Sequence, residues 1–146
     1  MSASVDFVLE SPSTNATLLV EAKSINSPSP EWAARLARSL VADVPPDAHS
    51  SLLLVLRNHL YLWKRIPQED AEPPDFSGRT EDVFRPYLQH VQTPLQDISG
   101  LSFEFLVKSW LTDLSEGSIP PSVAVWVREA GLQEFEHGVL REEQRN

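Results

Sequence analysis

The sequence contains no cysteine. Disulfides, thiolate nucleophiles and Cys-based zinc sites are therefore excluded, and a reducing compartment fits the absence. Basic residues are scarce: 12 Lys and Arg stand against 21 Asp and Glu, for a formal net charge of -9. That balance argues against uniform coating of nucleic acid or of an anionic membrane, so any such contact would be local. Long apolar runs are missing as well. The longest, Leu52 to Leu56, is far too short to span a bilayer. The opening Met1-Ser2-Ala3-Ser4-Val5-Asp6 shows no basic region followed by an apolar stretch, so no secretory signal is visible. A soluble cytoplasmic protein without membrane contact is the expectation. With only 5 glycines, neither a Gly-x-Ser-x-Gly elbow nor a phosphate-cradling Gly-rich loop occurs, and chemistry through a serine nucleophile is unsupported. His49, His59, His90 and His137 lie far apart with no metal-ligand spacing, which reads as structural or surface use.

What is present suits one domain. A chain of 146 residues with 41% hydrophobic side chains can bury one sizeable core, and two full domains would not fit. The charge is uneven along it. Residues 1–22 carry Asp6, Glu10 and Glu21 and no base. Residues 23–65 carry Lys23, Arg35, Arg38, Arg57, Lys64 and Arg65 against Glu31, Asp43 and Asp47, and the remainder is strongly acidic. A few isolated carboxylates thus adjoin a locally basic stretch, while the tail reads as a solvated acidic surface.

Residues 3–9 and 17–24 are rich in β-branched and large apolar residues, and Glu10-Ser-Pro-Ser-Thr-Asn-Ala16 between them supplies turn chemistry. A β-hairpin is predicted, with apolar residues on both faces as in a sheet covered on both sides. From Glu31 to Ala42, Trp32, Leu36, Leu40 and Val41 recur at helical spacing, with Ser29 or Pro30 near the start and Pro45-Pro46 as a stop. Ser51 to Leu56 has a buried-strand signature, and the shorter run His59 to Trp63 follows. The strand, helix, strand order implies a crossover that lays 51–56 parallel to 17–24. The expected organisation of the single domain 1–146 is a sheet-forming core over 1–65, an acidic Pro-rich linker over 66–78 and a helical tail over 79–146 packed on the core. Within the tail, helices are expected over Thr80–His90, capped by Thr80 and ended or kinked by Pro86, and over Ser102–Leu114. Pro121 to Ala130 suits a strand or a helix, with the helix favoured by its leading Pro and trailing Gly131.

On a strand, residues two apart share a face, so Glu21 and Lys23 point the same way. If the hairpin pairs Glu10 with Thr17, the same register puts Asp6 directly opposite Glu21, with β-carbons about 5 Å apart. Two carboxylates so placed repel, and a divalent cation reverses the sign. Mg²⁺ or Mn²⁺ suits oxygen ligands and commonly takes one or two protein carboxylates, completing its shell with water and substrate phosphate. Lys23 would orient or deprotonate a water, or neutralise charge growing on a phosphorane-like transition state.

An acidic residue on one strand of a hairpin and Glu-x-Lys on the next, followed by a helix and a parallel buried strand, resembles the PD-(D/E)xK nuclease superfamily. The matching residues are Asp6, Glu21 and Lys23, in Val5-Asp6-Phe7 and Val20-Glu21-Ala22-Lys23, and the resemblance covers about residues 3–63. It implies an α/β, restriction-endonuclease-like fold: a central mixed β-sheet of hairpin, crossover helix and parallel strand, with a helical C-terminal half. It further implies metal-dependent hydrolysis of DNA phosphodiesters, with Asp6 and Glu21 as metal ligands and Lys23 as the third catalytic residue. Only five residues precede Asp6, and Val5 stands where the family's name has proline. The leading helix usual in that family would then be replaced by the tail, a second subunit or a partner.

Arg35 and Arg38, three apart, share a helix face that suits a phosphate backbone, and Lys64 and Arg65 would extend the same basic strip. Trp32, Trp63, Trp110 and Trp126 are expected to fill the core. Two alternatives stand beside the nuclease. The first is a catalytically inactive module of the same fold that docks a partner protein or a second copy through Phe103, Leu106, Trp110 and Leu114 of its acidic helical tail. The second is an unrelated α+β binding domain in which Glu21 and Lys23 form a surface ion pair.

Overall fold

A computed structural model of the chain describes residues 5–45, 49–89 and 91–143. Its strands are β1 (Phe7–Glu10), β2 (Thr17–Lys23), β3 (Ser50–Leu56), β4 (His59–Trp63), β5 (Phe76–Arg79) and β6 (Val139–Glu142). Its α-helices are α1 (Pro30–Leu40), α2 (Thr80–Phe84), α3 (Gly100–Glu116) and α4 (Pro121–Glu129). The six strands form one mixed sheet in the order β5-β4-β3-β2-β1-β6, in which only β2 and β3 run parallel.

The expected hairpin forms in the expected register, Glu10 pairing with Thr17 and Phe7 with Val20. Asn15 takes φ 59° in its turn, a left-handed conformation that Asn tolerates better than most residues. Ala3 and Ser4, at the start of the predicted first strand, lie outside the described residues, as do Pro46 and His90. The crossover helix α1 is opened by Ser29, whose Oγ accepts the Trp32 N–H at 3.1 Å. Helix α1 ends at Leu40, before the prolines expected to stop it.

Alternation along β2 sends side chains to two separate cores. Leu18, Val20 and Ala22 join Phe7, Leu9, Leu53 and Val55 under α3 and α4, with Phe103, Trp110 and Leu114 buried against them. Leu19 joins Val8, Leu52, Leu54 and Trp63 under α1, whose Ala33, Ala34 and Ala37 are buried. The small residues of α1 face the sheet, and Trp32, Leu36 and Leu40 pack around that contact. The four tryptophans take core positions, Trp63 and Trp110 with no exposed surface and Trp32 and Trp126 at the margins.

Three tail expectations are corrected. Residues 76–78, assigned above to a linker, lie in edge strand β5, because Phe76 pairs with Leu62 and joins the core under α4. The helical half also ends in a strand: β6 pairs with β1, so these two strands lie side by side at one sheet edge. Gly138 permits this approach, since a β-carbon there would lie 2.6 Å from the Glu10 carbonyl oxygen. Thr80 does not cap α2. Its buried hydroxyl instead donates to the Leu56 carbonyl at 2.6 Å, tying the start of α2 to the end of β3. After Phe84 the helix tightens into a 3₁₀ turn over Arg85–Leu88, where Pro86 removes an N–H the α-helix would need. The helical alternative holds for α4. Helix α3 is capped at its start by Ser99 and closed by Gly117 at φ 72°.

Candidate functional site

Glu21 and Lys23 sit at the C-terminal end of β2, on the face covered by α1. Their neighbours across the parallel ladder are Leu54 and Leu56. Glu21 is 1% exposed, and the Lys23 ammonium stands 3.4 Å from its Oε2 with its own side chain 34% exposed. The surface ion pair expected for an unrelated α+β binding domain is corrected on this point, because the pair is buried on the acidic side. Taking a carboxylate out of water costs several kcal/mol. An apolar residue would satisfy the same position in the core without the cost.

Asp6 is also buried, and its place differs from the one the register predicted. Its N–H donates to the Val20 carbonyl at 2.9 Å, although Phe7 is the residue paired with Val20. Two consecutive residues thus face one, in the manner of a β-bulge, so the chain turns aside before Asp6 reaches the position opposite Glu21. The Asp6 carboxylate instead accepts the Ala22 N–H through Oδ2 at 2.8 Å, a buried contact. Ala22 lies between Glu21 and Lys23, so this bond ties Asp6 to the same end of β2 despite the lost register. The tail closes over the same point, with the Glu143 N–H donating to the Asp6 carbonyl at 2.8 Å.

The chain leaving Lys23 is held as firmly. The Ser27 N–H donates to Asn58 Oδ1 at 2.8 Å, Asn58 Nδ2 donates to the Ser27 carbonyl at 2.9 Å, and the Tyr61 hydroxyl meets Ser27 Oγ at 3.1 Å. Arg57 Nε donates to the Ser24 carbonyl at 3.1 Å, and its Nη1 to the carbonyls of Leu95 and Ile98 at 2.7 and 2.9 Å. The sequence counted Arg57 toward a basic neighbourhood, whereas its charge is spent on backbone oxygens between β2 and the tail.

The other predicted cations are dispersed. Arg35 is exposed on α1, while Arg38 donates through Nε to the Gln68 carbonyl at 3.0 Å. Lys64 and Arg65 do not extend this strip. Lys64 lies on the opposite face, its ammonium 5.1 Å from the centre of the Phe76 ring under α4. The docking face proposed for the tail is corrected too: Phe103, Trp110 and Leu114 are buried in the protein's own core and Leu106 packs against it. Leu101 and Phe105, one turn apart on α3, are the exposed pair at 80% and 67%.

Among the histidines, His59 stacks on Tyr61 at 6.1 Å with its buried Nδ1 unpartnered among the described residues, and His137 packs on Gly117. His49 lines a cleft at the other end of the sheet. Among the described residues no group of three or more His, Cys, Asp or Glu side chains is arranged to hold a metal ion. A divalent cation at Asp6 and Glu21 would therefore rest on two carboxylates plus water and substrate oxygens, a donor set that fits Mg²⁺ or Mn²⁺. No described helix is long and apolar enough to cross a membrane.

No protein-family model, curated protein or solved structure matches this chain. The class the coordinates define is an α/β protein with a six-stranded mixed sheet between α1 and the α3/α4 layer.

Proposed function

We propose that the chain is a metal-dependent nuclease hydrolysing DNA phosphodiester bonds, on a sheet of restriction-endonuclease-like type. The observation that carries this reading is the burial of two carboxylates, Asp6 and Glu21, at the end of β2, with Lys23, one-third exposed, beside Glu21. Asp6 is fixed there by the Ala22 N–H, and Glu21 by Lys23 at 3.4 Å. Burying charge in this way opposes stability, and groups retained at such a cost cluster at functional sites. The position agrees as well, since open α/β sheets bind ligands outside the carboxyl ends of their parallel strands.

In this reading Asp6 and Glu21 hold Mg²⁺ or Mn²⁺, which when bound supplies Lewis acidity at a phosphoryl oxygen and a more acidic water. The Ala22 N–H keeps the Asp6 carboxylate oriented. Lys23, beside Glu21, would offer its ammonium to negative charge growing on the phosphoryl oxygens as water attacks phosphorus. DNA contact is local, with exposed Arg35 the nearest unspent cation in the sequence, consistent with a net charge of -9.

The test is incubation of the full chain with Mg²⁺ or Mn²⁺ and single-stranded, duplex and branched DNA. Metal-dependent cleavage that disappears in a folded Lys23→Ala variant is expected. Failure to cut any of the three substrates with either metal overturns the reading.

A second reading, a non-catalytic module that self-associates or docks a protein, is favoured by exposed Leu101 and Phe105, which line a groove of about 520 Å³ with Val91 and Leu106. Sedimentation of the full chain and of Leu101→Ser/Phe105→Ser decides it. A dimer that the variant abolishes supports the module, and a monomer at every concentration removes self-association.

A further inference from the structure

At the opposite end of the sheet from Lys23, an open cleft of about 490 Å³ lies between the hairpin turn, the start of β3, the end of β4 and the segment after α4. Its size falls within the roughly 300–1,000 Å³ range of small-molecule sites. Ala16, Leu62, Leu132 and Phe135 give it an apolar lining, and Lys64 and Arg65 bring two cations to it.

Those cations, like Arg35, Arg38, Arg57 and Arg128, stand outside the ion pairs formed among the described residues. In a chain of net charge -9, Lys23, Arg79, Arg85, Lys108 and Arg141 each have a carboxylate partner. Among the described residues Lys64 and Arg65 form no ion pair. The Lys64 backbone is held from both sides: its N–H donates to Asp75 Oδ2 at 2.7 Å, and its carbonyl accepts from Ser51 Oγ at 3.0 Å. Its ammonium rests over the Phe76 ring at 5.1 Å, and a β-carbon on Gly131 would lie 3.9 Å from that nitrogen. The lysine is thus positioned before any ligand arrives, which lowers the ordering cost of binding. One acid, Glu134, also lines the cleft, and its Oε1 accepts from Thr14 Oγ1 at 3.4 Å. Two cations and one carboxylate line the cleft, and a second carboxylate, Asp75, adjoins the Lys64 backbone.

We propose that this cleft binds a small molecule carrying a phosphate monoester and an apolar ring. The phosphate, with a charge near that of two cations, would take charge-assisted hydrogen bonds from Lys64 and Arg65, and the ring would lie against Leu62, Leu132 and Phe135. This site shares no residue with Asp6, Glu21 and Lys23, so it stands or falls independently of nuclease activity.

Calorimetric titration of the full chain with phenyl phosphate, inorganic phosphate and phenol tests it. Phenyl phosphate is expected to bind more tightly than either fragment. Lys64→Met/Arg65→Met should weaken it about tenfold or more, as loss of charge-assisted hydrogen bonds does. Glu134→Gln should tighten it, and Lys108→Met, a cation on α3 remote from the cleft, should leave it unchanged. Absence of phenyl phosphate binding overturns the proposal, and so does binding that is indifferent to both the Lys64/Arg65 and the Glu134 changes.

Discussion

The two faces of β2 are built by one strand and covered by helices on both sides, yet they differ in kind. Toward α3 and α4 the strand presents Leu18, Val20 and Ala22, and the layer above them is apolar and buried. Toward α1 it presents Leu19 and then Glu21 and Lys23, with Asp6 attached to the same end through the Ala22 N–H. Burial is equally deep, since Val20 is 0% and Glu21 1% exposed. What differs is the energetic meaning. One face gains free energy from every residue it buries, whereas the other spends some of that gain to hold two carboxylates out of water. A position that could carry leucine carries glutamate instead.

The sharpest contrast comes from truncation on the packing face. Trp110→Ala should destabilise the protein by about 3–5 kcal/mol, through lost transfer energy and the cavity left behind. Denaturant unfolding measures it, and a loss below about 1 kcal/mol would mean that the α3 layer is not a close-packed core.

On the polar face the effects are smaller and depend on charge. Asp6→Ala removes an ionised acceptor and leaves the Ala22 N–H buried without its partner, a loss of about 1.5–3 kcal/mol. Asp6→Asn keeps a carbonyl oxygen for that hydrogen bond and should recover most of the stability. Equal destabilisation by the two changes would contradict the bond. Lys23→Met leaves Glu21 without its counter-charge and should cost about 1 kcal/mol, discounted because Lys23 is partly solvated. Adding Glu21→Gln should restore that loss in a double-mutant cycle, and additive losses would show that the pair is not coupled.

The alkaline limb of stability tests the packing face last. The Tyr87 phenol donates to Asp113 Oδ2 at 2.6 Å, and its pKa is pushed well up, first by burial and then by that carboxylate. A raised folded pKa means that the unfolded chain releases the proton first. The contribution is therefore complete below the ordinary tyrosine value of about 10 and declines as pH rises above it. Tyr87→Phe should lack that decline, and parallel pH profiles would refute the shift.

Much of this was legible in the sequence because it was local. The hairpin register followed from its turn, and the parallel pair β2/β3 followed from two apolar strands flanking an amphipathic helix. The misreadings concern long-range pairing. Phe76 looked like linker because Pro, Asp and Glu precede it, and only its partner Leu62 makes it a strand. Val139–Glu142 carries three polar or exposed residues, so nothing local distinguishes it from coil, and β1 across the sheet makes it β6. Strand alternation put Glu21 and Lys23 on one face correctly. It could not foresee the bulge at Asp6, which is set by a backbone bond to Val20, nor that Arg57 would spend its charge on Leu95 and Ile98, some forty residues away in sequence.

A metal-dependent nuclease requires that the polar end of β2 take up a divalent cation. Mn²⁺ titration of the full chain, followed by electron paramagnetic resonance, measures this without requiring a substrate. Saturable binding at one site, abolished in a folded Asp6→Asn/Glu21→Gln variant, is the predicted result. Equal Mn²⁺ uptake by the variant, or none by the native chain, would contradict it.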